Sequence, residues 1–345
     1  AGLVHGPIDA ADVQLDGHDT GYLANFRIGA TQATVEDDDR SFEQLFDALV
    51  GPVLDGEGPV APPRVGNPYR GLAAFRELDV DVFFGRTRVV EATLAALGAH
   101  GAAFVVGPSG SGKSSLVHAG VVPALAAGEL DGSEDWFVVD MVPGTDPFAE
   151  LEAAVLRVAA HPSAGLLEHL RDPEKALADT IRRVLPDATA SAVLVIDQFE
   201  ELFTVTPEPE RDRFLAALGV AMSGPGRPLK VIATLRADFY DEPLDRPRIA
   251  PIVTRATVPC DTLSGDELRA AIVEPARVVG VEVDPGLVGR LVADASGRPG
   301  TLPLLQYTLT QLFEARRGDT LTLDAYLATG GLTAAVGSRA EEIYE

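Results

Sequence analysis

One octapeptide limits what this chain can fold into more than any other stretch. Gly107-Pro108-Ser109-Gly110-Ser111-Gly112-Lys113-Ser114 satisfies G-x-x-x-x-G-K-[ST] at every position. The pattern reads as a phosphate-binding loop. Gly107, Gly110 and Gly112 are expected at positive φ, so that successive N–H groups of the loop, which also holds Pro108, Ser109 and Ser111, line one concavity. Lys113 brings a point charge to the β and γ phosphates. Ser114, opening the next helix with Ser115 behind it, can offer its hydroxyl to Mg²⁺ where the helix N-terminus already favours negative charge. The flanks agree: Ala103-Phe104-Val105-Val106 is a short apolar run of buried-strand type, and residues 114 to 119 read as helix.

Such a loop needs a parallel sheet around it, and the rest of the chain supplies the pattern. Trp136-Phe137-Val138-Val139-Asp140-Met141 reads as a strand closed by Pro143-Gly144, and helical segments fill about 147 to 184. Ala192-Val193-Leu194-Val195-Ile196 is followed by Asp197, an acid at the carboxyl end of a buried strand, where ligands sit in open α/β sheets. There Asp197 would hold Mg²⁺ through water, and Glu200 or Glu201 would orient and deprotonate an attacking water; the spacing does not choose between them. Lys230 to Arg236 is a further strand whose terminal arginine falls at the level of a γ-phosphate, with a salt bridge to Asp238 as the competing role. Strands alternating with helices over 87 to 260 predict an α/β fold: a P-loop NTPase parallel sheet flanked by helices, then a helical lid.

The expected domains are the end of an N-terminal domain at 1–50, a linker at 51–66, the α/β domain at 67–260 and the lid at 261–345. Nine of the eighteen residues from Gly51 to Pro68 are Gly or Pro, which favours turns over regular structure. Upstream lie a weak alternation at Phe26, Ile28 and Ala30, an acidic turn at 36–39 and a helix capped by Ser41 and Gln44. In the lid, Ser264 with Glu267 forms a capping box, and Leu302-Pro303-Leu304-Leu305 starts an apolar helix with a first-turn proline.

Composition narrows the partners. With 52 acidic residues against 28 basic, the net charge of −24 disfavours direct contact with nucleic acid or anionic membrane. The single cysteine, Cys260, excludes an intrachain disulfide and reads as core, which suits a reducing, cytoplasmic setting. The chain starts at Ala1 and ends within a helical pattern at Glu345, so a piece of something longer is expected.

Taken together, these segments resemble the STAND ATPases, signal-transducing ATPases with numerous domains, in their novel bacterial branch often fused to WD-repeat or other sensor modules. The resemblance runs from about 67 to 345. It rests on Asn67-Pro68-Tyr69-Arg70-Gly71-Leu72, Phe83-Phe84-Gly85-Arg86, the phosphate loop with Ser115-Leu116-Val117, Val195 to Phe203, Thr234 to Phe239 and Leu302-Pro303-Leu304-Leu305. It implies that Gly85 and Arg86 line the adenine and ribose end of an ATP/ADP site, that Arg236 senses the γ-phosphate and that Pro303 closes the lid. It also implies a two-state switch that hydrolyses ATP slowly and self-associates when ATP binds, relaying a signal between sensor and effector modules. Gln198 departs from the glutamate many related ATPases carry after the Mg²⁺ aspartate. A nucleotide-binding scaffold without hydrolysis and a small-molecule kinase are the competing readings.

Overall fold

The structure, a computed structural model, describes residues 13–15, 21–23, 66–159, 165–171, 177–185, 191–223, 229–298 and 300–332. The chain divides into two compact units, Ala1–Val65 and Gly66–Glu345. In the first, β1 (Val13–Leu15) pairs antiparallel with β2 (Gly21–Leu23). The alternation at 26–30, the acidic turn at 36–39, the helix at 41–49 and the linker up to Val65 lie outside the described residues.

The second unit is built on five parallel strands: β3 (Ala102–Gly107), β4 (Phe137–Met141), β5 (Ala192–Ile196), β6 (Leu229–Arg236) and β7 (Thr257–Pro259). Their order across the sheet is β4-β5-β6-β3-β7, so β6 is inserted between β3 and β5. Parallel neighbours need crossovers, and helices supply them on both faces. Alternation along each strand sends side chains to opposite faces. Phe104, Leu194, Ile196, Val231 and Ala233 pack on one side against helices Pro147–Val158, Glu208–Ser223 and Ala250–Ala256. Ala103, Val105, Val193, Val195, Ile232 and Cys260 pack on the other, against Thr87–His100 and the helix that follows the phosphate loop. Every residue of β5 is buried, which explains its unbroken apolar run.

Register carries this order to the site. Gly107 at the end of β3 pairs with Arg236 at the end of β6, and Ile196 pairs with Ala233. The phosphate loop, Asp197, Thr234 and Arg236 therefore emerge at one edge of the sheet.

The lid is a separate apolar cluster formed by helices Gly265–Val278, Pro285–Ala295, Thr301–Ala315 and Leu323–Ala328. The first begins at the expected capping box, where the Ser264 N–H donates to Glu267 Oε2 at 2.8 Å. The lid pattern reads as wholly helical, yet β8 (Glu282–Val283) and β9 (Thr320–Leu321) form a parallel pair. Two residues per strand are too few for a period-2 signal.

A strap of residues 67–75 joins lid to sheet. Tyr69 is buried among the lid side chains, its hydroxyl donating to Ile272 O at 2.6 Å and its ring meeting Phe313 edge-on at 6.3 Å. Asn67 Nδ2 donates to Thr310 O at 3.1 Å. Six residues on from Tyr69, the Phe75 N–H donates to Ser115 Oγ at 3.1 Å. Among the described residues, no helix is long and apolar enough to cross a membrane.

Gly85 fixes the other approach of the lid: at φ 87° a Cβ there would lie 2.4 Å from the carbonyl oxygen of Glu267. Gly280 shares the left-handed conformation (φ 74°) but faces open space. Gly280→Ala is expected to cost about 1 kcal/mol through backbone strain alone. Gly85→Ala, which adds a clash with fixed backbone, is expected to cost about 2–4 kcal/mol in urea unfolding. Equal losses would show that lid and sheet do not meet at this point.

Candidate functional site

The phosphate loop departs from expectation at its first glycine. Gly110 and Gly112 have φ of 71° and 84°, as anticipated, but Gly107 is not in the positive-φ region. Its requirement is space: a Cβ at 107 would lie 2.4 Å from Cys260 O and 2.9 Å from Ser111 Oγ. The helix that follows starts as an α turn at Lys113–Ser115, widens to a π-helical stretch at Leu116–Val121 and returns to α at Val122–Ala126.

The loop opens into a cavity of about 340 Å³. Ser109, Gly110, Gly112, Lys113, Ser114 and Ser115 line one part of it, with Gln198, Glu200, Thr234 and Arg236 beside them; Leu302, Pro303 and Gln306 come from the lid. The strap residues Gly71 to Phe75, with Val82, Phe83, Phe84, Leu263 and Ala271, line the more apolar end.

At the polar end, Lys113 is buried and its Nζ donates to Gly107 O at 3.0 Å and Pro108 O at 2.9 Å. Burial pushes its pKa down, against the pull of Glu200 and Asp197. Asp197 is the hub. Its Oδ1 accepts from Thr234 Oγ1 at 2.6 Å, Ser114 Oγ at 2.8 Å and the Gln198 N–H at 3.1 Å. Its Oδ2 lies 3.8 Å from His118 Nε2, which the π-helical stretch carries under the carboxylate and also places 3.8 Å from Asp140 Oδ1. Burial alone would raise the Asp197 pKa; His118 and the hydroxyls of Thr234 and Ser114 outweigh it and hold the carboxyl below its ordinary value. Gln198 bends the chain here with φ 57°, the one positive φ outside glycine among the described residues.

The turn after Asp197 separates the two glutamates left open by the sequence. Glu200 lines the cavity, and its Oε2 accepts from the Arg236 N–H at 3.3 Å. Glu201 faces elsewhere, its Oε2 accepting from the Gly144 N–H at 3.1 Å. Arg236 lines the cavity with an exposed guanidinium that holds Asp238, Nη2 to Oδ2 at 2.6 Å and Nε to Oδ1 at 3.1 Å, so both roles considered for it are compatible with its position. Hydrogen bonding to Asp238 raises its pKa.

The remaining expected site residues are placed as follows. Gly85 is not among the cavity-lining residues; its lack of a side chain lets Glu267 O approach. Arg86 does line the cavity, but its guanidinium is spent on two backbone carbonyls, donating to Ser111 O and, at 2.8 Å, to Asp261 O. It thus braces the phosphate loop against the segment after β7. Ser115 also lines the cavity, and its hydroxyl oxygen accepts from the Phe75 N–H of the strap. Pro303 sits over the loop, within 3.3 Å of where a Cβ on Gly110 would lie. Sequence reasoning did not single out His118, Asp140 or Gln306. A histidine or a glutamine inside an apolar helix pattern gives no signal of its own.

The cradle suits a nucleotide with Mg²⁺. Gly110 and Gly112 leave the loop open without side chains, Lys113 offers an ammonium, and Ser114 and Asp197 present two oxygens side by side. Mg²⁺ is typically held by few protein oxygens, with water and phosphate completing its shell. Among the described residues there is no cluster of three or more His, Cys, Asp or Glu side chains that would instead suggest an all-protein metal cage.

Comparison with known structures agrees on the fold. The Walker-type ATPase PABY2304 of Pyrococcus abyssi is similar at 14% identity and a TM-score of 0.50, over 78% of this chain and 74% of that one. Drosophila ORC, in a structure bound to DNA, is similar at 14% identity and a TM-score of 0.51, over 84% of this chain and 68% of that one. Comparison with curated proteins gives no match. Residues 68–345 match the family described as Novel STAND NTPase 1, and with most of the chain inside that match the protein belongs to this family of P-loop nucleotide-binding NTPases.

Proposed function

We propose that this chain is an ATP/ADP-binding switch module that hydrolyses ATP slowly with Mg²⁺. The observation that carries the reading is the convergence of Lys113, Ser114, Glu200, Arg236 and the lid residue Pro303 on one cavity, with Asp197 bonded to Ser114 at its edge. In this reading the backbone N–H groups of 109–114 and the Lys113 ammonium bind the phosphates. Ser114 and Asp197 would hold Mg²⁺, which would supply positive charge to offset that of the phosphates. Glu200 takes a proton from a water whose oxygen bonds to the γ phosphorus as the bond from that phosphorus to the β–γ bridging oxygen breaks, leaving ADP and inorganic phosphate.

Arg236 is suited to report which nucleotide is present. Its partner Asp238 is exposed, and an exposed ion pair is worth little, so a γ-phosphate can take the guanidinium at small cost. Slow turnover is supported by Gln198 standing beside Asp197, which leaves base chemistry to Glu200 two residues further on. Switching is supported by the lid: Pro303 lies within 3.3 Å of where a Cβ on Gly110 would be, so a change in the loop bears on lid position. Self-association on ATP binding, with sensor and effector modules elsewhere in a longer chain, completes the proposal.

Protein purified without added nucleotide, then denatured, is expected to release ADP or ATP on chromatography; guanine nucleotide would overturn the adenine reading. Lys113→Ala is expected to weaken ADP binding about 10- to 100-fold by removing charged hydrogen bonds. In single-turnover assays with excess protein, Glu200→Gln is expected to slow hydrolysis about 10²–10⁴-fold, while Glu201→Gln stays near the native rate. The reverse order would exchange their roles, and no hydrolysis by the native protein would favour a nucleotide-binding scaffold.

A further inference from the structure

In a chain of net charge −24, one groove away from the nucleotide cavity is lined by arginine and apolar side chains and by no acid. Val220 comes to it from helix Glu208–Ser223; Pro247, Arg248, Pro251, Ile252 and Arg255 come from helix Ala250–Ala256 and the turn before it. The groove holds about 380 Å³. Gly219 lets its two walls approach, since a Cβ there would lie 3.1 Å from Arg248 Cβ. Arg248 and Arg255 are exposed, and neither forms an ion pair with another described residue. Their neighbours Arg211 and Arg246 share Asp212 instead, at 3.0 and 3.8 Å. Two unpaired cations over an apolar floor suit a segment that carries acids and apolar side chains together.

The chain itself displays such a segment. The 3₁₀ helix Glu77–Val82, which follows the strap, reads Glu-Leu-Asp-Val-Asp-Val. Leu78 is 95% exposed and Val80 45%; with Leu72 at 61% they are three of the eight large apolar side chains exposed among the described residues, gathered into one short stretch. Glu77 and Asp81 are exposed and form no ion pair with another described residue, whereas Asp79 between them is buried and held by Arg70. Neighbouring cations are engaged elsewhere: Arg88 lies 3.8 Å from Glu267, and the charge of Arg76 bears on Asp140.

Strip and groove of one molecule lie on opposite faces of the sheet. The groove helices belong to the cluster around Phe104 and Leu194, while Phe83, next to the strip, packs with the other cluster and would lie 3.2 Å from a Cβ on Gly120 of the phosphate-loop helix. The two surfaces can therefore meet only between molecules. We propose that the strip Glu77–Asp81 of one copy docks in the Arg248–Arg255 groove of a second copy, with Leu78 and Val80 on the apolar floor and Glu77 and Asp81 against the two arginines. The spacings agree: seven helical residues separate the arginines by roughly 10 Å, and four 3₁₀ residues separate the acids by about 8 Å. Because the two surfaces differ, the contact is head-to-tail, and each added copy leaves one strip and one groove free until a ring closes. Val82 and Phe83, directly after the strip, line the nucleotide cavity. The inference rests on the self-association in the reading above and names the surfaces that carry it.

The test exchanges charge across the contact. A groove variant (Arg248→Glu with Arg255→Glu), a strip variant (Glu77→Arg with Asp81→Arg) and a chain carrying all four changes are compared with the native chain by sedimentation velocity, with Mg²⁺ and a non-hydrolysable ATP analogue whose binding to each is first measured by calorimetry. The native chain is expected to associate, and each double variant alone to associate about 100-fold more weakly, since like charges then face each other, with analogue binding unchanged. An equimolar mixture of the two double variants is expected to recover association, because each strip then finds a groove of opposite charge, and so is the fourfold variant by itself. Undiminished association in both double variants would overturn the proposal, as would double variants that lose association while neither the mixture nor the fourfold variant regains it. A native chain that binds the analogue and stays monomeric would also overturn it, leaving the groove to another acidic partner. A native chain that binds no nucleotide would instead remove the nucleotide reading and the assembly that rests on it.

Discussion

A single carboxylate oxygen ties the phosphate-loop side of this structure together. Asp197 Oδ1 accepts from a hydroxyl at the start of the phosphate-loop helix, a hydroxyl on β6 and the backbone of its own turn. These donors come from three separate segments, and their shared acceptor sets the depth of the loop relative to the two central strands. In a buried setting such hydrogen bonds are stronger than in water, and an acceptor stripped of its partners is correspondingly expensive. The strained φ of Gln198 is tolerated because its N–H reaches both Asp197 Oδ1 and Thr234 Oγ1, at 3.1 and 2.9 Å. The same turn sends Glu200 into the cavity and Glu201 out of it.

Much of this was legible in the residues because the governing physics is local. The phosphate loop, the apolar strand ending in Asp197 and the Ser264 capping box each specify their conformation within a few residues. The parallel sheet follows from their alternation with helices. What the residues concealed depends on tertiary placement. Gly107 is glycine because the chain leaving β7 crosses it, not because of its φ. Gly85 answers to a lid carbonyl some 180 residues away in the chain. The π-helical stretch that brings His118 beneath Asp197 has no spacing that distinguishes it from ordinary helix. Gln306 reads as one polar residue in an apolar helix until the cavity wall is drawn.

The lid touches the nucleotide end of the sheet through contacts of different character. Pro303 on Gly110 and Glu267 on Gly85 are close steric fits, sensitive to small displacements. Arg86 braces the loop with charged donors to carbonyls. Packed surfaces of this kind favour discrete arrangements over gradual ones, so lid position and loop geometry are suited to change together.

The strap between them has a mechanical implication. Tyr69 is fastened to the lid and Phe75 to the phosphate-loop helix, with only six residues of chain from one to the other. Fully drawn out, that length spans roughly 20 Å. The strap is therefore a leash: the lid can swing away from the loop within that radius while both anchors hold, and any wider excursion must first uncouple one of them.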